Sequence, residues 1–210
     1  MGCGKSSVGR RLSQLLCCRF IDLDEAVEQV AGKRIPEIFA SEGEAAFRHL
    51  ETEVLTNILS AEHERKCAPC EVGGVNETPM TISAVLALGG GTVMTPECAE
   101  MVRENTCCIY LRASVDTLLE RLSSETSTRP LLTIDSASAY STKNDVNSTS
   151  LHEVELNMPS RGAEGSGDLR HRIESLMSVR TTTYENTASI IIDTDGKSIS
   201  AIANEILANC

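Results

Sequence analysis

Gly2-Cys3-Gly4-Lys5-Ser6-Ser7-Val8-Gly9 is the stretch around which the rest of the chain organises. It carries the second half of the phosphate-loop pattern G-x-x-x-x-G-K-[ST]. The spacing has a physical purpose. Glycines let backbone N–H groups turn inward around a phosphate, and the helix that follows points its positive N-terminus at the same place. Lys5 is then set to reach the β- and γ-phosphates, and the Ser6 hydroxyl to ligate Mg2+. Taken alone, Gly-Lys-Ser reads equally well as a Gly-rich tail, so the remainder of the chain decides. The first glycine of the pattern would fall two positions before Met1, and the strand that leads into such a loop is absent. In kinases with this loop that strand is central to the sheet, and without it the neighbouring strands keep unpaired edges. The expectation is therefore that Met1 is not the natural start.

Outward from the loop, helical and strand-like patterns alternate, as in an α/β fold with a parallel sheet. An amphipathic helix over 6–16 is followed by a short strand over 19–24 that ends in acids. A helical turn at 36–39 precedes a longer helix over 44–59, whose Phe47, Leu50, Val54, Leu55 and Ile58 share one face. The apolar run 81–88 reads as a strand buried on both faces and stops at Gly89-Gly90-Gly91. Helix 96–105, strand 107–111, helices 115–123 and 169–184, strand 189–193 and helix 199–208 complete the rhythm. Two stretches break it: 61–79, polar and rich in Gly and Cys, and 133–167, rich in Ser, Thr, Asn and Gly. Both read as loop insertions in a single domain spanning 1–210.

Composition sets the boundaries. The 210 residues suffice for one packed domain, and 41% hydrophobic with 23% charged is ordinary for a globular chain. A formal net charge of −11 argues against a nucleic-acid or anionic-membrane partner, both of which need a basic footprint. Anionic small-molecule ligands would need a local knot of Lys and Arg instead. No apolar stretch approaches the ~18 residues of a membrane span, and no leader pattern follows Met1, so the expected compartment is the cytosol. Of the nine cysteines, Cys17-Cys18 and Cys107-Cys108 sit in apolar contexts and read as small hydrophobes. Cys67-Ala-Pro-Cys70 has metal or redox spacing but no second pair to complete a zinc site, so it reads as incidental.

Six motifs follow one another in order: Gly2-Cys-Gly-Lys-Ser-Ser-Val-Gly9, Phe20-Ile-Asp-Leu-Asp24, Gly43-Glu-Ala-Ala-Phe-Arg-His-Leu-Glu51, Gly89-Gly-Gly91, Arg129-Pro-Leu-Leu132 and Arg180-Thr-Thr-Thr-Tyr184. Together they resemble the shikimate kinases over most of the chain. The resemblance implies a three-layer P-loop kinase fold, a parallel sheet flanked by helices, and a mobile lid. It implies ATP as co-substrate, Mg2+, and phosphorylation of the shikimate 3-hydroxyl to give shikimate 3-phosphate and ADP for aromatic amino-acid synthesis. Gly2, Cys3, Gly4, Lys5, Ser6 and Ser7 would hold the nucleotide, and Ser6 and Asp22 the metal.

Asp22 and Asp24, two apart on a strand end, would leave the same face. By resemblance Asp24 anchors the substrate hydroxyls as candidate general base. Arg48 and Glu51 are helix-surface neighbours, readable as an ordinary ion pair or as a guanidinium held for a carboxylate. By resemblance Arg48 and Arg180 grip the shikimate carboxylate, Gly90 contacts the ring, and Arg129 closes over the ATP phosphates from the lid. Lys5, Arg48, Arg129 and Arg180 make the required positive knot. Arg121 and Lys197 match positions that flank adenine, or are plain surface cations. Two departures stand out. Leu88 replaces a hydroxyl residue that often precedes the glycines, and Arg129 and Arg180 lie unusually far apart. The competing readings are a catalytically impaired truncated product and another small P-loop kinase, such as a gluconate kinase. The expected state is a monomer.

Overall fold

The computed structural model describes residues 2–67, 82–124 and 166–209. Helix α1 (Lys5–Leu15) starts directly after Gly4, whose φ of 82° is left-handed backbone that glycine adopts without strain. Its Gly9 lies flat on Phe20, where a Cβ would come within 2.6 Å of the ring, so α1 seats closely on strand β1 (Arg19–Asp22). The chain then turns at once into α2 (Leu23–Ala31), which ends at left-handed Gly32. The expected strand over 19–24 is thus two residues too long. Asp22 ends the strand and caps the helix, its side chain accepting from the Asp24 amide, and Asp24 lies in the first helical turn. An acid at the cap with acids in the first turn complements the helix dipole, and that outweighs the short strand-like alternation.

Helical stretch α3 (Ile35–Cys67) is broken at Gly43, which stands at φ 82°, ψ 174°. The break separates the two helical pieces expected at 36–39 and 44–59. The second runs on through Cys67, so 61–67 is helix rather than inserted loop, and only 68–79 of that stretch falls outside the described residues. Glu62 holds these last turns, pairing with Arg19 at 3.3 Å and with Arg65 at 3.2 Å.

Strand β2 (Ala84–Ala87) runs parallel to β1, with Arg19 opposite Ala84 and Asp22 opposite Ala87. After the glycines come a short 3-10 turn (Thr92–Met94) and α4 (Pro96–Asn105). Strand β3 (Ile109–Arg112) and α5 (Val115–Ser124) follow. Helix α6 (Ser166–Thr187), strand β4 (Ile190–Asp193) and α7 (Ile199–Asn209) complete the chain. β4 runs parallel to β3, with Ile109 opposite Ile190. The start of α6 trims the expected 133–167 insertion by two residues; 133–165 lies outside the described residues.

The fold is α/β with parallel strands. Among the described residues the strands form two separate pairs, β1-β2 and β3-β4, and no ladder joins β2 to β3. Side chains bridge the halves instead: Val85 of β2 packs against the cluster of Val8, Leu12, Leu111, Ile192, Ile202 and Ile206. A second core joins Leu23, Val27, Ile38, Phe47, Val54, Leu55, Cys98 and Val102. A third joins Ala113, Leu118 and Leu122 to Ile173, fastening α5 to α6. No described helix is long and apolar enough to cross a membrane.

Candidate active site

The side chains of interest come from the start of α1, the end of β1, the glycine turn after β2, and the bodies of α3 and α6. Gly2 and Gly4 both take positive φ, and Lys5 opens α1 with its Nζ 3.7 Å from the Cys3 sulfur. Burial pushes the Cys3 thiol up, but the Lys5 ammonium beside it wins, and the thiol's pKa is lowered. One step along α1, Ser6 Oγ donates to Asp22 Oδ2 at 2.8 Å, while Asp22 Oδ1 accepts from the Asp24 amide at 3.2 Å. Ser7 is exposed next to it. A hydroxyl and a carboxylate in contact at the N-terminus of a phosphate-loop helix are hard oxygen donors, the set Mg2+ takes. The residues fit that ion.

A second group of side chains surrounds the glycine turn. A Cβ on Gly89 would lie 2.7 Å from Asp24 Oδ1, 3.0 Å from Thr92 Oγ1 and 3.1 Å from Glu51 Oε1. A Cβ on Gly91 would lie 2.6 Å from Arg48 Nη2. The glycines thus let four functional groups close on one turn. Arg48 donates to Glu51 Oε2 at 2.7 Å and to Glu44 Oε1 at 3.3 Å. From the far side, Arg180 donates to the Gly90 carbonyl at 3.4 Å and the Tyr184 hydroxyl donates to the same oxygen. Asp24 is exposed as a residue, yet burial of its carboxyl, then the charges of Asp22 and Glu51, raise its pKa above the usual carboxylate range. The direction holds because both neighbouring carboxylates act in the same sense, with only Lys5 of the nearer charges opposing.

The structure therefore brings Lys5, Ser6, Asp22, Asp24, Arg48, Gly90 and Arg180 to one end of the strands. The Asp22–Asp24 pair does so by a cap and a helical turn, not by strand alternation. Arg129 lies outside the described residues. Arg121 donates to the carbonyls of Gly2 and Thr194, at 3.5 and 3.1 Å, and so ties the phosphate loop to the end of β4. Lys197 pairs with Glu205 at 2.6 Å. Leu88, the departure before the glycines, is half-buried and packs against the core cluster that includes Leu23 and Leu55. Cys17 and Cys107 are exposed, so only the second member of each adjacent pair meets the apolar expectation. Sequence reasoning missed Thr92 and gave Tyr184 no role. Tyr184 had a signal, since four residues after Arg180 on a helix it shares that face. Thr92 had none beyond following a glycine.

The comparisons with known proteins agree with this geometry. The family model for shikimate kinase matches residues 1–67 and 69–210. A shikimate kinase of Marinomonas sp. is 32% identical over 207 residues, covering 99% of this chain and 86% of its own. One from Francisella tularensis subsp. holarctica is 29% identical over 206 residues, covering 98% and 88%. The structure of shikimate kinase from Acinetobacter baumannii in complex with shikimate superposes with a TM-score of 0.69 at 26% identity, covering 100% of this chain and 87% of that one. With the family model matching nearly every residue, the chain belongs to the shikimate kinase family.

Proposed function

We propose that this chain transfers the γ-phosphoryl group of ATP to the 3-hydroxyl of shikimate, giving shikimate 3-phosphate and ADP. The observation that carries the reading is the meeting of Asp24, Arg48 and Arg180 around one glycine turn, within electrostatic reach of Lys5. Two guanidiniums on opposite sides of that turn suit a carboxylate, and the Asp24 carboxylate suits a ring hydroxyl. Phosphoryl transfer asks little covalent chemistry of a protein; it asks for alignment and positive charge.

Arg48 and Arg180 fix the substrate by its carboxylate, which leaves the reacting hydroxyl beside Asp24. With its raised proton affinity, Asp24 accepts the hydroxyl proton as the new P–O bond forms. Lys5 and the amides of the loop at Gly2 to Lys5 take the phosphate charge, and Arg129 adds to it from the lid. Ser6 and Asp22 would hold Mg2+, which when bound neutralises charge on the phosphates. The chain is proposed to work as a single-domain cytosolic monomer in aromatic amino-acid synthesis.

A coupled ADP-release assay with ATP, Mg2+ and shikimate tests the reading. ADP release that depends on shikimate is expected. Release with gluconate but not with shikimate, or with neither, overturns it.

A further inference from the structure

Glu51 is the most completely buried charged residue described, 1% exposed, in a protein whose other carboxylates mostly face water. A carboxylate in such a place is strongly disfavoured unless both oxygens find partners. One oxygen, Oε2, receives Arg48 Nη1 at 2.7 Å. The other, Oε1, receives the hydroxyl of Thr92 at 2.6 Å. Thr92 is itself 0% exposed, and it opens the short turn after the glycines, its amide bonded to the Gly89 carbonyl at 3.3 Å. Its position is thus set by the backbone of the same turn that approaches the substrate site.

We propose that Thr92 is a positioning residue for the carboxylate-binding arm, acting through Glu51 on Arg48. The inference rests on the functional reading above. The hydroxyl binds one Glu51 oxygen and so fixes the plane of the carboxylate. That plane decides where the other oxygen meets the guanidinium. Glu51 takes only Nη1, and Nη2 meets the exposed Glu44 at 3.3 Å, a contact that a ligand carboxylate can replace. Without the hydroxyl, Oε1 is left buried and unpaired, and the carboxylate is free to rotate both oxygens onto Arg48. The guanidinium edge meant for substrate is then occupied by protein. Asp24 Oδ1 lies around the same glycine as Thr92 Oγ1 and Glu51 Oε1.

The test compares Thr92→Val, which keeps the shape and removes the hydroxyl, with Thr92→Ser, which keeps the hydroxyl. Both are assayed for the KM of shikimate and of ATP and for kcat, with melting midpoints to confirm folding. Thr92→Val is expected to raise the KM for shikimate on the order of ten-fold, with the KM for ATP unchanged. Thr92→Ser is expected to stay within about two-fold of the unaltered chain in both KM values, because the hydroxyl bond to Glu51 is kept. The inference is overturned if folded Thr92→Val keeps the shikimate KM, if both KM values rise together, or if Thr92→Ser rises as valine does. The serine arm stands even where valine fails to fold. Lack of shikimate turnover by the unaltered chain overturns the functional reading, and this inference with it.

Discussion

Asp24 shows what one residue gives up for chemistry. Its carboxyl is crowded by burial and by Asp22 and Glu51, so the folded protein disfavours its charged form. A carboxyl whose folded pKa is raised destabilises the fold once it ionises, and that penalty disappears as pH falls below the unfolded value near ~3.9. Asp24→Asn is therefore expected to raise the melting midpoint at neutral pH, with the gain shrinking toward zero as the buffer is taken to about pH 4. The same variant should lower kcat by about 100-fold or more, since a general base contributes on that scale. Melting curves across pH beside the ADP-release assay would check both halves. A midpoint that falls equally at every pH contradicts the assignment. That Asp24, Arg48, Gly90 and Arg180 belong to one site was expected from the resemblance of their motifs to the family, and the structure places them together. Thr92 was not expected there, because a hydroxyl that contacts a residue 41 positions earlier leaves no local pattern.

At the scale of elements, glycines decide where helices stop and at what angle the next one leaves. Gly43 sits at φ 82°, ψ 174°, a region that side chains with a Cβ essentially do not enter, although nothing lies within 4 Å of where its Cβ would be. Gly43→Ala thus isolates backbone strain from crowding. It is expected to destabilise by about 1–3 kcal/mol, read as a lower melting midpoint or urea midpoint. An unchanged midpoint would mean that the break in α3 is not fixed by this residue. Helical patterns made α1 and α3 to α7 readable. Helix α2 escaped because Phe20 to Asp24 alternates like a strand for a few residues, while the cap at Asp22 and the acids at Asp24 and Glu25 mark a helix start. Local alternation over so short a stretch is weaker evidence than a cap.

For the whole molecule, the formal charge of −11 and anionic ligands pose a conflict that is resolved locally. Lys5, Arg48 and Arg180 converge on the loop and glycine turn, while much of the acidic excess is spread over exposed faces. Ligands that bind only the folded state stabilise it by mass action. With ATP (as its Mg2+ complex) and shikimate each about a hundred-fold above Kd, the midpoint should rise by roughly 10–20 °C for a chain of this size. Thermal melts with and without the ligands check this, and no shift would argue against an assembled site. The parallel α/β character was readable from the alternating patterns. The unpaired strand edges expected beside the loop match the split into two strand pairs, while the side-chain bridge between them is a tertiary matter that periodicity within one element does not encode.

The clasp on Gly90 has a further consequence. Tyr184 and Arg180 reach its carbonyl across 94 and 90 residues of chain, and Leu118 and Leu122 of α5 pack on Ile173 of α6. Both ends of the stretch between α5 and α6 are therefore fixed by contacts that do not depend on its length. Loop closure grows only slowly less favourable as residues are added. Residues added to or removed from that stretch beyond Arg129-Pro-Leu-Leu132 leave Arg180 in its place. Changes of length there are separated from the grip proposed for Arg48 and Arg180.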